Sequence, residues 1–206
     1  MLGGNGGSVL FYVIGHDAAV TRRLVEFLQQ SDFAGVIFTK EPAQGTFGLA
    51  EAKIGSEHAP DVVMAFRWND SKNQFGIPGM IDADWQRGAG KGTHATLSRF
   101  DMHNTLIAAG PDFQRGQVND LPTGNVDLAP TILQILGITP PHQMDGRILS
   151  EAMVNVGMSE PKPETKTVEA VRDFSSGRWQ QSLKISRVAS TIYLDDGNGA
   201  FSPKGD

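Results

Sequence analysis

Four short, nearly continuous apolar runs constrain this chain more than any other feature: residues 8–14, 35–39, 60–68 and 105–109. A strand with one wet face alternates apolar and polar side chains, whereas runs without alternation belong to strands covered on both faces. Covering a sheet on both faces takes helices. Asp17 is placed to cap one, which would carry Val20, Leu24, Phe27 and Leu28 at helical spacing. A second helix is predicted after Asp127, with Pro130 in its first turn, an apolar stripe of Leu128, Ile132, Leu133 and Leu136, and Gly137 as its stop. The pattern predicts an α/β fold.

Beyond the second helix the composition changes. Residues 159–167 are prolines, charges and hydroxyls, a surface linker by composition. Leu183 and Ile185, then Ile192 and Leu194, alternate in part, and Asp195-Asp196-Gly197-Asn198-Gly199 is a turn signal. Two regions are therefore expected: an α/β core over 1–158, then a linker and a small C-terminal β-hairpin appendage over 159–206.

Charge and composition exclude several function classes. The 18 basic and 23 acidic side chains give a net charge of −5 without a local basic patch, so nucleic acid is not an expected partner. Apolar runs such as residues 9–14 fall far short of the roughly 18–20 residues of a membrane span, so none is expected. The absence of cysteine excludes disulfides, thiolate metal sites and cysteine nucleophiles. Met1-Leu2-Gly3-Gly4-Asn5-Gly6-Gly7 has neither the basic start nor the apolar stretch of an export signal, and Gly3 to Gly7 reads as a flexible terminus.

The irregular, glycine-containing stretch over 69–91 is long for a connection in a compact domain, and such loops tend to carry function. At its end, Gly88-Ala89-Gly90-Lys91-Gly92-Thr93 places glycines ahead of a lysine, as phosphate-binding loops do. Gly92 follows Lys91, however, where that motif needs Ser or Thr. The five histidines are His16, His58, His94, His103 and His142, and no two are spaced i, i+4 for a helical metal site. His94 stands out because it closes the long loop between Thr93 and Thr96, ahead of an expected buried strand that begins near His103. Among nearby carboxylates, Asp127 reads as a helix cap and Asp145 as a turn residue before Gly146, while Asp101 has no assigned role.

Taken in order, Gly92-Thr93-His94-Ala95, Phe100-Asp101-Met102-His103, Ala108-Ala109-Gly110-Pro111-Asp112-Phe113, Val126-Asp127-Leu128-Ala129-Pro130-Thr131, Leu136-Gly137-Ile138 and Asp145-Gly146-Arg147 form a series. The series resembles the C-terminal part of the alkaline phosphatase superfamily. It is most similar to the type I phosphodiesterase and nucleotide pyrophosphatase branch, and sulfatases and cofactor-independent phosphoglycerate mutases share much of it. The resemblance implies an alkaline-phosphatase-like α/β sandwich, a site with two divalent metals, usually zinc, and a Thr or Ser nucleophile that takes up the phosphoryl group. Two such ions would clamp the attacking and leaving oxygens. In this pattern the histidine of the Gly-x-His segment is a metal ligand, a position that His94 occupies.

The nucleophile and the remaining ligands, including a paired Asp-His, lie upstream in the family pattern, and residues 1–90 contain no Asp-His pair. The resemblance therefore implies the C-terminal portion of a metal-dependent phosphoric ester hydrolase acting on a small phosphate ester. Such a portion is expected to be inactive alone and to self-associate through an exposed sheet edge. The rival expectations are a non-catalytic binding or assembly module with the same fold, a sulfatase-type sulfuric ester hydrolase, and a nucleotide-binding protein using Gly88 to Thr93.

Overall fold

The computed structural model describes residues 1–4, 6–83, 92–154 and 162–205. Contacts divide the chain into two compact units, one of Met1–Asn104, Thr167–Lys184 and Leu194–Asp206, the other of Thr105–Lys166 and Ile185–Tyr193. The loop signal at Gly88 to Lys91 lies outside the described residues.

The first unit is built on a five-stranded sheet of β1 (Leu2–Gly4), β2 (Ser8–Phe11), β3 (Ala34–Thr39), β4 (Phe47–Gly48) and β5 (Val62–Phe66), in the order β1-β2-β5-β3-β4. β5 runs antiparallel to both β2 and β3, with Val9 and Ile37 facing Met64 from either side. Three of the apolar runs are thus the central strands, as their lack of alternation predicts, and all six residues of β3 are buried. α1 (Ala18–Gln29) begins where predicted, Asp17 Oδ1 accepting from the N–H groups of Ala19 and Val20 at 2.8 and 3.0 Å. It buries Val25 and Leu28 with Ile37, Val62, Met64 and Trp179. Each such aliphatic side chain stabilises the fold by about 1.5–3 kcal/mol. Phe27, expected on the core face, is 64% exposed, and Val25 occupies that face instead.

Two expectations for the glycines are corrected. Gly3 and Gly4 belong to β1, and Gly7 packs so closely that a Cβ there would lie 2.2 Å from Thr96 Cγ2, so this segment is a fitted part of the sheet. The start of the 69–91 stretch is likewise regular, forming the antiparallel pair β6 (Trp68–Lys72) and β7 (Pro78–Ile81). Trp68 meets Phe100 edge-on at 5.9 Å, and the Arg99 guanidinium stacks over both rings.

The C-terminal region holds three long strands rather than a two-stranded hairpin: β8 (Glu164–Phe174), β9 (Gly177–Val188) and β10 (Thr191–Pro203), in the order β10-β9-β8. Their residues are divided between the two units. The expected linker partly becomes strand, since β8 starts at Glu164, while 155–161 fall outside the described residues. The expected turn at Asp195 to Gly199 is strand interior, and the chain reverses instead at residues 175–176 and 189–190. Gly199 is there because backbones meet, a Cβ on it lying 2.0 Å from the Gly35 carbonyl oxygen, and Gly197 because a Cβ would lie 2.9 Å from Val36 Cγ2. Gln181 completes the junction within this unit, accepting from Ile37 N–H at 2.7 Å and donating to Ile37 C=O at 3.1 Å. It thereby satisfies the edge of β3 that faces away from β5.

The second unit has little regular structure. α2 (Arg99–Met102) closes the preceding segment of the first unit, and the run at 105–109, expected as a buried strand, is exposed and unassigned to any strand. Its apolar content finds no neighbouring strand to pair with among the described residues. α3 (Leu128–Ile135) is where predicted, and Gly137 at φ 65° ends it. Ile138 N–H returns to Leu133 C=O and Gly137 N–H to Gln134 C=O, the bond pair of a glycine-terminated helix. Its orientation differs from expectation: Leu128, Ile132 and Leu136 are 38%, 54% and 62% exposed, whereas Pro130 and Thr131 are buried. Among the described residues no helix is long and apolar enough to cross a membrane.

Candidate functional site

His94 lies in a segment seated on the N-terminal glycines. Gly7 N–H donates to the His94 carbonyl at 2.7 Å, and Gly6, at φ 77°, leaves room for the His94 backbone where a Cβ would come within 2.9 Å of its oxygen. Ala95 turns the chain at φ 58°. Thr96 then donates to Asp101 Oδ2 at 2.8 Å and accepts from Ser98 N–H at 3.2 Å, while Ser98 caps α2 through Phe100 N–H. Asp101 therefore holds this loop. The segment's backbone is fixed from both ends while the His94 side chain stands exposed. Next to it the Thr93 hydroxyl is buried without a hydrogen-bond partner among the described residues.

A catalytic divalent ion of the zinc type takes three or more protein ligands. Among the described residues no group of three or more His, Asp or Glu side chains is arranged to hold a metal. The described residues do not fit a two-metal site, and among them His94 is available as one ligand only. His58, His103 and His142 are exposed and separate from it in the sequence, His103 following the last residue of α2.

The remaining segments of the series lock together inside the second unit. Asp127 is fully buried, and instead of capping α3 it gathers three donors: Gly124 N–H and the Tyr193 hydroxyl on Oδ2, both at 2.9 Å, and Arg147 N–H on Oδ1 at 2.8 Å. Thr131 Oγ1 accepts from Leu149 N–H at 3.1 Å. Gly146 lies so close that a Cβ would sit 2.0 Å from the Val126 carbonyl oxygen. Val126-Asp127 through Thr131 and Asp145-Gly146-Arg147 are thus two halves of one joint.

Arg147 also forms a fork with Glu151, at 2.8 and 2.7 Å, and donates to Tyr193 Oη and Pro122 C=O. Burial would raise the Glu151 carboxyl, but the Arg147 hydrogen bonds and charge outweigh it and hold it below its usual range. Burial, with the hydroxyl committed to the Asp127 carboxylate, pushes Tyr193 up to about 12. These groups stabilise a joint.

A separate constellation, invisible in the sequence because its members are 45 residues apart, joins His16 and Asp61 in the first unit. His16 Nδ1 meets Asp61 Oδ1 at 2.7 Å, and Val13 N–H donates to Asp61 Oδ2 at 2.7 Å. Burial pushes the Asp61 carboxyl up, but these hydrogen bonds and the charges of His16 and Lys40 keep it lowered. The only local signal was Asp61 opening an apolar run.

No family model matches the chain, and no solved structure matches it. Curated relatives are distant. The extracellular sulfatase SULF-1 homolog of Drosophila melanogaster is 29% identical over 101 residues, 48% of this chain and 9% of that protein. The 2,3-bisphosphoglycerate-independent phosphoglycerate mutase of Legionella pneumophila (strain Lens) is 27% identical over 140 residues, 64% of this chain and 26% of the enzyme. The chain thus spans about a tenth to a quarter of the length of these relatives. Both are alkaline phosphatase superfamily proteins, of the two kinds expected to share the segment series.

Proposed function

We propose that this chain carries the C-terminal segments of a metal-dependent enzyme of phosphoryl or sulfuryl esters of the alkaline phosphatase type. His94 provides one metal ligand, and the nucleophile and other ligands come from outside these 206 residues. The observation that carries this reading is the joint of Asp127 and Thr131 with Gly146, Arg147 and Leu149. Segments singled out for their resemblance lie against one another in the second unit, which supports reading them as one structural series. Similarity to a sulfatase and to a phosphoglycerate mutase supports the same chemistry class. Within that class we favour hydrolysis of a small phosphate ester, in the manner of the phosphodiesterase and nucleotide pyrophosphatase branch, with zinc as the metal. When bound, such an ion supplies charge stabilisation at phosphoryl oxygens.

The test uses the full-length gene product and its His94→Ala variant, assayed for zinc content and for turnover of a nitrophenyl phosphodiester, a nitrophenyl phosphomonoester and an aryl sulfate. Loss of bound zinc and a fall of about 100-fold or more in turnover is expected, given that removing even an outer-shell partner costs up to that much. Preference for the aryl sulfate would move the reading to the sulfatase side. Unchanged zinc and turnover would overturn the role of His94, and no turnover of any ester by the unsubstituted protein would favour a non-catalytic module.

A further inference from the structure

A cleft of about 490 Å³ opens in the first unit where β2 and β3 end, beside the first turns of α1. β2 and β3 flank β5 and both run antiparallel to it, so they point the same way. Their carboxyl ends deliver residues 13–16 and 40–44 to one rim, and β5 brings Asp61 to the same place from the opposite direction. Crevices outside the carboxyl ends of strands are where open α/β sheets place their ligands.

The cleft gathers three groups with hydrogen-bonding capacity in hand. The His16 ring is fixed through Nδ1 by Asp61, an ionised acceptor, which puts the proton on Nδ1 and leaves Nε2 without a protein partner among the described residues. Gly15 and His16 are both left-handed, at φ 65° and 51°, so the chain turns sharply where it presents the ring. Arg22 and Lys40 are exposed at the same opening and form no salt bridge within 4.0 Å among the described residues; Lys40 makes a 3.4 Å contact to the Glu57 carbonyl and acts on Asp61 through its charge. Arg172, which also lines the cleft, is by contrast spent on Glu26 and Gln29. Glu41 contributes the one carboxylate besides Asp61. Val25 and Pro42 give the cleft an apolar wall.

We infer that this cleft binds the phosphate group of a small phosphate monoester, held by Arg22, Lys40 and His16 Nε2, with the organic part against Val25 and Pro42. A tetrahedral phosphate offers several oxygens to donors arriving from different elements, which a planar carboxylate does not. Its second ionisation lies near pH 6, and a phosphate that keeps one proton donates that O–H to the Nε2 lone pair. The volume exceeds what a bare phosphate needs and lies in the 300–1,000 Å³ range of small-molecule sites. The site uses neither His94 nor a metal, so it stands or falls apart from the function proposed above.

The experiment follows the His16 ring resonances of the 206-residue chain by NMR in EDTA, while phenyl phosphate or inorganic phosphate is added. Saturable shifts of His16 with a Kd of about 0.1–1 mM for phenyl phosphate are expected, with inorganic phosphate weaker. Arg22→Ala/Lys40→Ala, at two exposed positions, should keep its Tm and weaken phenyl phosphate at least about tenfold, as loss of charge-assisted hydrogen bonds requires. Equal affinity for inorganic phosphate would keep the site and make the free ion its occupant. No His16 shift with either probe up to about 10 mM, or the same Kd in the double variant, would overturn the inference.

Discussion

The Tyr193 hydroxyl donates to Asp127 Oδ2 at 2.9 Å while accepting from Arg147 Nε at 3.0 Å, so one phenol links the buried carboxylate that opens α3 to the arginine of the facing segment. Its raised pKa has a consequence for stability. Between the ordinary tyrosine value of 10.0 and about 12 the folded form keeps a proton that the unfolded form has lost. Stability from this group is full below pH 10 and is lost as pH rises towards 12. Denaturation followed over pH 9–12 should show a decline of about 2 kcal/mol that is absent in Tyr193→Phe. A profile unchanged by the substitution would contradict the coupling.

Gly146 is required for contact rather than for backbone freedom. Gly146→Ala puts a methyl group into the Val126 carbonyl and should destabilise the second unit by about 3 kcal/mol or more, whereas Gly92→Ala, where a Cβ meets nothing within 4 Å among the described residues, should be nearly neutral. Chemical denaturation of the two variants side by side gives the comparison.

Gln181 occupies both backbone groups of Ile37. Gln181→Leu keeps the volume but strands a buried N–H and C=O, and should cost about 2–4 kcal/mol. Amide exchange at Ile37 should accelerate along with global unfolding, and a protected Ile37 amide in a stable variant would contradict the role.

The exposed side of α3 predicts the opposite behaviour. Ile132 is 54% exposed, so Ile132→Lys should change stability by no more than about 0.5 kcal/mol. Binding of a hydrophobic dye such as ANS should fall, because Leu128, Ile132 and Leu136 form one apolar stripe. A loss of several kcal/mol would mean that this face is packed.

These contrasts show which parts of the fold local sequence could specify. The ends of α1 and α3 were legible because Asp17 and Gly137 act on backbone groups a few residues away. The face that α3 buries was not, since it is set by Thr131 and Asp127 bonding residues 18 and 20 positions on. Glycine misled for the same reason: Gly7 and Gly199 looked like flexible or turn residues, yet each is small because another backbone or side chain lies against it. The run at 105–109 has the composition of a buried strand but no partner among the described residues. At the candidate site, the motif around His94 singled out a segment that the structure holds against Gly6 and Gly7. The His16–Asp61 pair was not legible, because the sheet alone brings its members together.

The claim that the remaining metal ligands lie outside these residues is tested most directly by elemental analysis of the purified 206-residue chain after incubation with excess zinc and desalting, beside its His94→Ala variant. A single exposed imidazole cannot retain the ion through desalting, so both proteins are expected to carry the same background zinc. Near-stoichiometric zinc in the unsubstituted chain, lost on substitution, would contradict the claim that the remaining ligands lie outside these residues.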